Sequence, residues 1–377
     1  MIRQCPEVQT EVIGAFGFIT LNRPKALNAL SLQMVQSLLD TLRAGQEDAA
    51  IVGVAIRGSN KVGRPGTPEA LFGGFCAGGD IRFFHQAALE GNTQLDEFFT
   101  DEYTLNHLIH NYSKPYIAFM DGVVMGGGMG ISQGASLRIV TEKTKMAMPE
   151  TGIGLFPDVG GGFFLGRCPG HVGEYLALTG DTIAGDTAVH WKLADACVPS
   201  GELPGLWAQL QTLQTVAAVK QWIATNVIAA YALNTGAIGQ IDQKIEAAFG
   251  LKSVGDIVAA LEGLGTKPAR AVAATLRHRS PLMLHVVLEQ VRRARSMTLA
   301  DDLRMERDLV QHCFYTVHLE RSGAKSETVE GIRALAVDKD HQPRWEPSRL
   351  EDVSLAMVEP FFVSPWTAEN HPLRALT

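Results

Sequence analysis

The sequence predicts an α/β core followed by a helical lobe, and three observations carry that expectation. Apolar and β-branched runs alternate with stretches of helical spacing up to about Pro199, the pattern of an α/β architecture. Beyond that point helix formers dominate and no strand is obvious. Between Gly122 and Leu137 the chain has no charge and six glycines, the mark of a buried element that packs very closely. That run falls short of about 20 apolar residues, so it does not read as a membrane span.

The elements follow in order. "GAFGFITLN" (Gly14–Asn22) reads as a strand halted by Pro24. "SLQMVQSLLDTLRAG" places Val35, Leu38, Leu39 and Leu42 on one helix face, with Ser31 as N-cap. "IVGVAIRG" (Ile51–Gly58) is a continuous run, as in a strand buried on both faces. Loop and glycines lead to Gly79, and a helical stretch with a polar insertion around Glu90–Gln94 follows. "KPYIAFMDG" is another buried strand, Gly126–Gly134 a small-residue helix, and "SLRIVTE" and "TKMAMPE" two short strands. After Pro199, "LWAQLQTLQTVAAVKQWIA", "IGQIDQKIEAAFG", "VGDIVAALEGL" and "PLMLHVVLEQVRRA" carry helical apolar spacing. The expected division is a core over 1–199 and a helical region over 200–377.

Composition narrows the function classes. The 377 residues are 46% hydrophobic and 19% charged, a soluble globular balance. A net charge of −7 argues against nucleic acid or a membrane surface as partner, so an anionic ligand needs local Lys, Arg or backbone N–H groups. Cys5, Cys76, Cys168, Cys197 and Cys313 are odd in number and lack C-x-x-C spacing, which suits a reducing cytosol. The histidines show no H-E-x-x-H or similar ligand spacing, so no metal is expected. "MIRQCPEVQTEVIG" has no apolar or Arg/Ser-rich leader, and a cytoplasmic location is expected.

Among the glycine clusters, "MGGGMGIS" fails the G-x-G-x-x-G spacing in every register, and no P-loop exists. "GISQG" (Gly130–Gly134) fits a nucleophile elbow, but Ser132 falls a turn or two into a helix, not on a strand-to-helix turn. Cys76 has no neighbouring His to serve as base and reads as a small buried hydrophobe. The glycines can instead offer backbone: turns near Gly79 and Gly127 could each aim one N–H at a single oxygen. "AMPETGIGLFPDVGGG" sets Glu150 and Asp158 among apolar groups, where a carboxylate's pKa rises toward the range of a general base. The bland alternative is that Glu150 caps a helix and Asp158 opens a turn after Pro157.

"NRPKALNALS", "FCAGGDIR", "DGVVMGGGMG" and "PETGIGLFPDVGGG", in that order and spacing, resemble the crotonase (enoyl-CoA hydratase/isomerase) superfamily. "GIRALAVDKDHQPRWEP" (Gly331–Pro347) resembles its 3-hydroxyisobutyryl-CoA hydrolase branch. The resemblance implies a ClpP/crotonase-like fold of repeated ββα units and an acyl-CoA substrate, with CoA part of that substrate and no separate cofactor. It also implies oxyanion donors at the Gly79 and Gly127 N–H groups, and substrate lining by Lys25, Ala26, Leu27, Ala77, Gly78, Asp80 and Ile81. Lys25 reads equally as a phosphate contact or a surface lysine.

The carboxylates choose the branch. Hydratases carry a glutamate three residues after the second oxyanion glycine, where this chain has Gly130. Glu150 of the P-E dipeptide is present, and Asp158 stands where the hydrolase branch carries Asp. That branch also places a glutamate where "DEYTLN" supplies Glu102, a residue equally readable as an exposed helix charge. The implied reaction is thioester hydrolysis, in valine catabolism, of 3-hydroxyisobutyryl-CoA to 3-hydroxyisobutyrate and CoA. The alternatives are an enoyl-CoA hydratase/isomerase and a catalytically silent acyl-CoA-binding protein. Crotonases assemble as trimers through C-terminal helices, but the longer tail here could equally fold back on its core, so a homo-oligomer stays open.

Overall fold

β-Branched and aromatic runs form the strands of the computed structural model, which describes residues 3, 5–62, 67–231 and 243–377. A six-stranded sheet runs in the order β1 (Val8–Ile13), β2 (Phe16–Leu21), β3 (Gly53–Gly58), β4 (Tyr116–Met120), β6 (Leu137–Val140), β9 (Ala196–Cys197). β1 pairs antiparallel with β2, and every later neighbour is parallel, with Phe18 beside Ala55, Ala55 beside Ile117, and Ile117 beside Leu137. β3 and β4 are buried along their whole length, as their unbroken apolar runs require. A second sheet joins β5 (Val123–Met125), β7 (Lys145–Ala147) and β8 (Ile183–Ala184).

β1 has no counterpart in the sequence reading, for a physical reason. It is an edge strand with only Val8 buried, so "VQTEVI" carries little alternation. β5 hides between two glycine turns in a run too short to show a period.

Helices complete this part of the molecule. α1 (Leu32–Glu47) starts where Ser31 accepts the Met34 N–H at 3.3 Å, and it buries Val35, Leu38, Leu39 and Leu42 as its spacing predicts. The helices Leu203–Leu210 and Val216–Trp222 pack Leu206, Trp207, Leu210 and Trp222 against Phe16, Phe18, Phe119 and Ile139 of the sheet. The sequence shows these two as one helical stretch. Thr215 divides them by accepting the Ala218 N–H at 3.1 Å and opening a new helix. The guanidinium of Arg57 on β3 lies 4.1 Å over the Trp207 ring, and its Nε donates to Thr20 Oγ1 at 3.0 Å.

The chain forms two compact units that interleave along the sequence. One comprises Met1–Gly79, Thr104–Ala147 and Thr182–Gly239; the other comprises Asp80–Tyr103, Met148–Asp181 and Gln240–Thr377. A cut after residue 199 separates most strands from most helices, whereas contacts assign the helices at 203–228 to the sheet. The second unit is mainly helical. It includes α2 (Ile81–Glu90), the first part of α3 (Gln94–His110), α5 (Pro281–Ala294) and α6 (Leu299–Phe314). Gly91, at φ 64, ends α2 and accounts for the polar interruption between these helices. Within the region expected to be purely helical, Tyr315–Thr316 and Arg321–Ser322 form a small antiparallel pair.

Candidate functional site

In the sheet-bearing unit the site residues are main-chain groups. Cys76 lies parallel to Val124, its N–H donating to Val123 O at 2.9 Å and its carbonyl accepting from Met125 N at 3.0 Å. This ladder runs "FCAGG" alongside "VVMGG", bringing the two glycine turns together. Gly78 sits at φ 103, where a Cβ would meet Met125 O at 3.3 Å and Gly127 N at 3.6 Å. At Gly128 a Cβ would fall 2.3 Å from Cys76 O, so neither turn tolerates a side chain without moving.

Gly127 heads α4 (Gly127–Gln133), and its N–H is one of the orphan donors of a helix start. The Gly79 N–H has no acceptor among the described residues. The structure thus offers two amide donors on adjacent segments.

The stretch "KALNA" lies beside the first turn. Ala77 N donates to Leu27 O at 3.0 Å and Leu30 N to Gly78 O at 2.8 Å. Leu27 and Asn28 hold positive φ of 52 and 55, fixed by the fully buried Asn28 side chain. Its Nδ2 donates to Ser59 O at 2.8 Å and Gly74 O at 2.5 Å, while its Oδ1 accepts the Arg23 N–H at 2.7 Å. Lys25 and Leu27 are exposed, and Ala26 is half-buried.

Ser132 is fully buried within α4 and donates to Gly128 O at 2.8 Å, so it is a packed helix residue. Cys76 is equally buried, with Sγ 3.2 Å from Asn28 O. Gly130 lies inside α4 and offers no acid or base.

The helical unit supplies the titratable groups. Glu150 opens a 3-10 turn (Glu150–Ile153) closed by Gly154 at φ 66. Neighbours lock the turn: Thr151 Oγ1 donates to Leu178 O at 3.1 Å, and Thr328 Oγ1 to Gly154 O at 2.6 Å. Glu150 is only 6% exposed, and its Oε2 has no partner. Burial pushes this carboxyl well above the usual range, the Asp158 charge adds to the rise, and Arg279 opposes it weakly.

Asp158 does open a turn, with Gly161 N donating to its carbonyl at 2.7 Å, yet its side chain is buried at 6% exposure. Burial raises it to about 7, against the opposing hydrogen bond from Tyr103 Oη, which donates to Oδ2 at 3.0 Å. Val159 follows at φ 58, a costly conformation for a β-branched residue and one found where function holds the backbone. Asp80 and Ile81 begin α2 in this unit, and Asp80 caps it by accepting the Phe83 N–H at 3.4 Å.

Glu102 is not an exposed helix charge. It is 1% exposed, with Oε1 unpaired. Burial raises it well above the usual carboxylate range, followed by the charges of Asp158 and Glu150. The structure therefore gathers Glu102, Glu150 and Asp158 as electrostatic neighbours in one dry region. Each of the three is raised by burial, and Glu102 and Glu150 are raised further by the charge of Asp158.

Sequence reasoning missed Tyr103, although it adjoins Glu102 in "DEYTLN". It also missed Asp302 and Glu306, whose signal was two carboxylates four residues apart on the apolar stripe of a helix.

Comparison with known proteins identifies the family and the fold. The enoyl-CoA hydratase/isomerase family model matches residues 16–362. The mitochondrial 3-hydroxyisobutyryl-CoA hydrolase of Gallus gallus is 37% identical over 360 residues, covering 93% of this chain and 86% of its own length. The 3-hydroxyisobutyryl-CoA hydrolase 1 of Arabidopsis thaliana is 36% identical, covering 94% of this chain and 91% of its own. Among solved structures, a carnitinyl-CoA dehydratase from Mycobacterium thermoresistibile superposes with a TM-score of 0.81 at 36% identity, covering 95% of this chain and 97% of its own. An enoyl-CoA hydratase from Rhodobacter sphaeroides 2.4.1 gives 0.79 at 31% identity, with 95% and 98% covered. The fold is the crotonase fold with a helical C-terminal region, and the chain belongs to the enoyl-CoA hydratase/isomerase family, on its 3-hydroxyisobutyryl-CoA hydrolase branch.

Proposed function

We propose that this protein hydrolyses 3-hydroxyisobutyryl-CoA, adding water across the thioester C–S bond to give 3-hydroxyisobutyrate and free CoA, a step of valine catabolism. The observation that carries the reading is the carboxylate set: Glu150 and Asp158 are buried electrostatic neighbours, while helix-bound Gly130 stands where a hydratase carries its other glutamate. The names of the avian and plant relatives support the same substrate.

In this reading the Gly79 and Gly127 N–H groups stabilise the negative charge that builds on the thioester oxygen, the kind of donor whose loss costs about 10²–10³ in rate. Two routes suit Glu150. As general base it takes a proton from water, whose oxygen bonds to the carbonyl carbon as the C–S bond breaks. As nucleophile its own oxygen bonds to the carbonyl carbon and expels the CoA thiolate as the C–S bond breaks. Water then opens the mixed anhydride that is left, giving the free acid and the restored Glu150 carboxylate. In single-turnover hydrolysis in ¹⁸O-water, label entering the Glu150 carboxyl marks an anhydride opened at the Glu150 carbonyl carbon, an outcome the general-base route does not give. Asp158 orients the water or holds the substrate hydroxyl, and Glu102 contributes to substrate binding. Lys25–Leu27, Ala77, Gly78, Asp80 and Ile81 line the CoA path, and no group beyond the substrate's CoA is invoked.

A thiol-release screen over a panel of acyl-CoAs tests the proposal. Release from 3-hydroxyisobutyryl-CoA above all other chains supports it. Loss of crotonyl-CoA unsaturation without thiol release would establish the hydratase reading, which the names of the two solved structures favour. Tight CoA binding with neither reaction would establish a silent binder.

The cysteine pattern supports a cytosolic setting, while the names of the vertebrate relatives place those proteins in mitochondria. Fractionation of cells expressing the native chain decides between the two. No described helix is long and apolar enough to cross a membrane. Light scattering of the purified chain measures whether it forms a homo-oligomer.

A further inference from the structure

Behind the Asp158 turn lies a second set of buried acids that the reaction as described does not use. Asp302 and Glu306 sit one helical turn apart on α6, both fully buried, in the stripe of Leu299, Leu303, Val310 and Cys313. Carboxyls in an apolar stripe cost stability unless they are fully engaged. Here they are spent on the main chain of the turn that follows Asp158. Glu306 Oε2 accepts the Gly160 N–H at 2.7 Å and Oε1 the Gly162 N–H at 3.0 Å. Asp302 Oδ2 accepts the Phe163 N–H at 2.9 Å. Gln290 of α5 closes the ring, its Nε2 donating to Pro157 O at 2.7 Å and to Glu306 Oε1 at 3.1 Å.

These bonds bracket Asp158 on both sides, from Pro157 before it to Phe163 after it. Between them Val159 holds its positive φ, a strained state that persists only where the surroundings over-determine it. Glycine at 162 is also required, because a Cβ there would lie 2.5 Å from Asp302 Oδ1. Burial raises both carboxyls above the usual range, and the Asp302 charge raises Glu306 further. The charged and titratable groups facing the pair are Asp158, Tyr103 and Arg167, none of which pairs with it as a salt bridge.

We propose that Asp302, Glu306 and Gln290 form the positioning element of this active site, fixing the turn that aims Asp158 and thereby setting kcat without touching substrate. The inference rests on the assignment of Asp158 to the reaction. Its specific content is that the acids of α6 act through backbone N–H groups, with Glu306 as the principal acceptor.

Glu306→Gln tests it on the full-length protein, with 3-hydroxyisobutyryl-CoA as substrate. The amide turns one accepting oxygen into a donor that faces the N–H of Gly160 or Gly162. A misplaced catalytic group costs up to about 10²-fold, so kcat should fall at least about tenfold while KM stays within about threefold. Asp302→Asn keeps an oxygen acceptor for the Phe163 N–H, so kcat should fall, but by less than in Glu306→Gln. Thermal unfolding accompanies each variant. An unchanged kcat in Glu306→Gln, or a loss of activity matched by an equal loss of folded protein, overturns the proposal. Should that variant not accumulate, Gln290→Met removes the Pro157 link without adding charge: a fall in kcat at constant KM supports the proposal, and parental kcat overturns it. Asp158→Asn separates the two layers. If it retains parental thiol release, the role of Asp158 itself fails; if it is inactive while Glu306→Gln is not, the positioning inference alone fails.

Discussion

The two compact units contribute opposite kinds of chemistry. In the sheet-bearing unit the candidate groups are amide N–H donors on glycines, held by a main-chain ladder and unable to titrate. In the helical unit they are carboxyls, held by side-chain and N–H contacts and pushed upward by burial. The difference teaches where each unit is vulnerable. A backbone donor is immune to side-chain deletion and to pH, but fails when a Cβ displaces its ladder. A buried carboxyl is exposed to displacement of the backbone that aims it, and its function and its stability both follow pH.

The largest expected effect comes from the helical unit. Glu150→Ala removes the carboxyl proposed as base or nucleophile, and steady-state thiol release from 3-hydroxyisobutyryl-CoA should fall about 10³-fold or more. Parental turnover in that variant would dismiss the carboxylate as the reacting group. Next comes the ladder: Gly128→Ala puts a methyl 2.3 Å from Cys76 O and must shift the Gly127 donor. Its kcat/KM should fall about 10²-fold, without the pH dependence changing, if the donor is an oxyanion contact.

The third effect is a pH dependence whose two halves have opposite signs. Asp158, raised to about 7, gains its charge as pH rises, so kcat/KM should climb through about pH 7. Stability runs the other way. The folded state binds more protons than the unfolded chain between the ordinary carboxylate range and about 7, so stability falls as pH rises across that window. Asp158→Asn should therefore raise the unfolding temperature by more at pH 8 than at pH 5, while abolishing turnover. An equal gain at both pH values would contradict the burial of the charged form. The smallest effects belong to the surface and to the packed serine. Lys25→Ala should raise KM no more than a few-fold, as for an exposed ion pair, and Ser132→Ala should leave kcat within about twofold. Labelling of Ser132 by an alkylphosphonate would revive the serine reading.

How much of this was legible in the sequence differs element by element. Long or unbroken patterns were readable: β3, β4 and α1 announce themselves through apolar runs or helical spacing. The edge strand β1 and the three-residue β5 were not, because their pairing is long-range and their own residues bury little or show no period. Glu150 and Asp158 stood out as acids in apolar surroundings, and the motif order marked Gly79 and Gly127. Glu102 was ambiguous until its burial was seen, since a helix carries no local sign of which face a lone carboxylate will take.

The sequence by itself determined the family, the alternation of strands and helices, and the identity of the acids and glycines, because these are properties of local pattern and motif spacing. Tertiary structure alone decided that Thr215 divides the helices on the sheet, that the compact units interleave along the chain, and that Glu102 joins Glu150 and Asp158. It alone set Glu306, 148 residues after Asp158 in the chain, against the turn that carries it. The physical reason is the same in each case: desolvation and hydrogen-bond satisfaction are fixed by what packs around a group, and those neighbours come from distant parts of the chain.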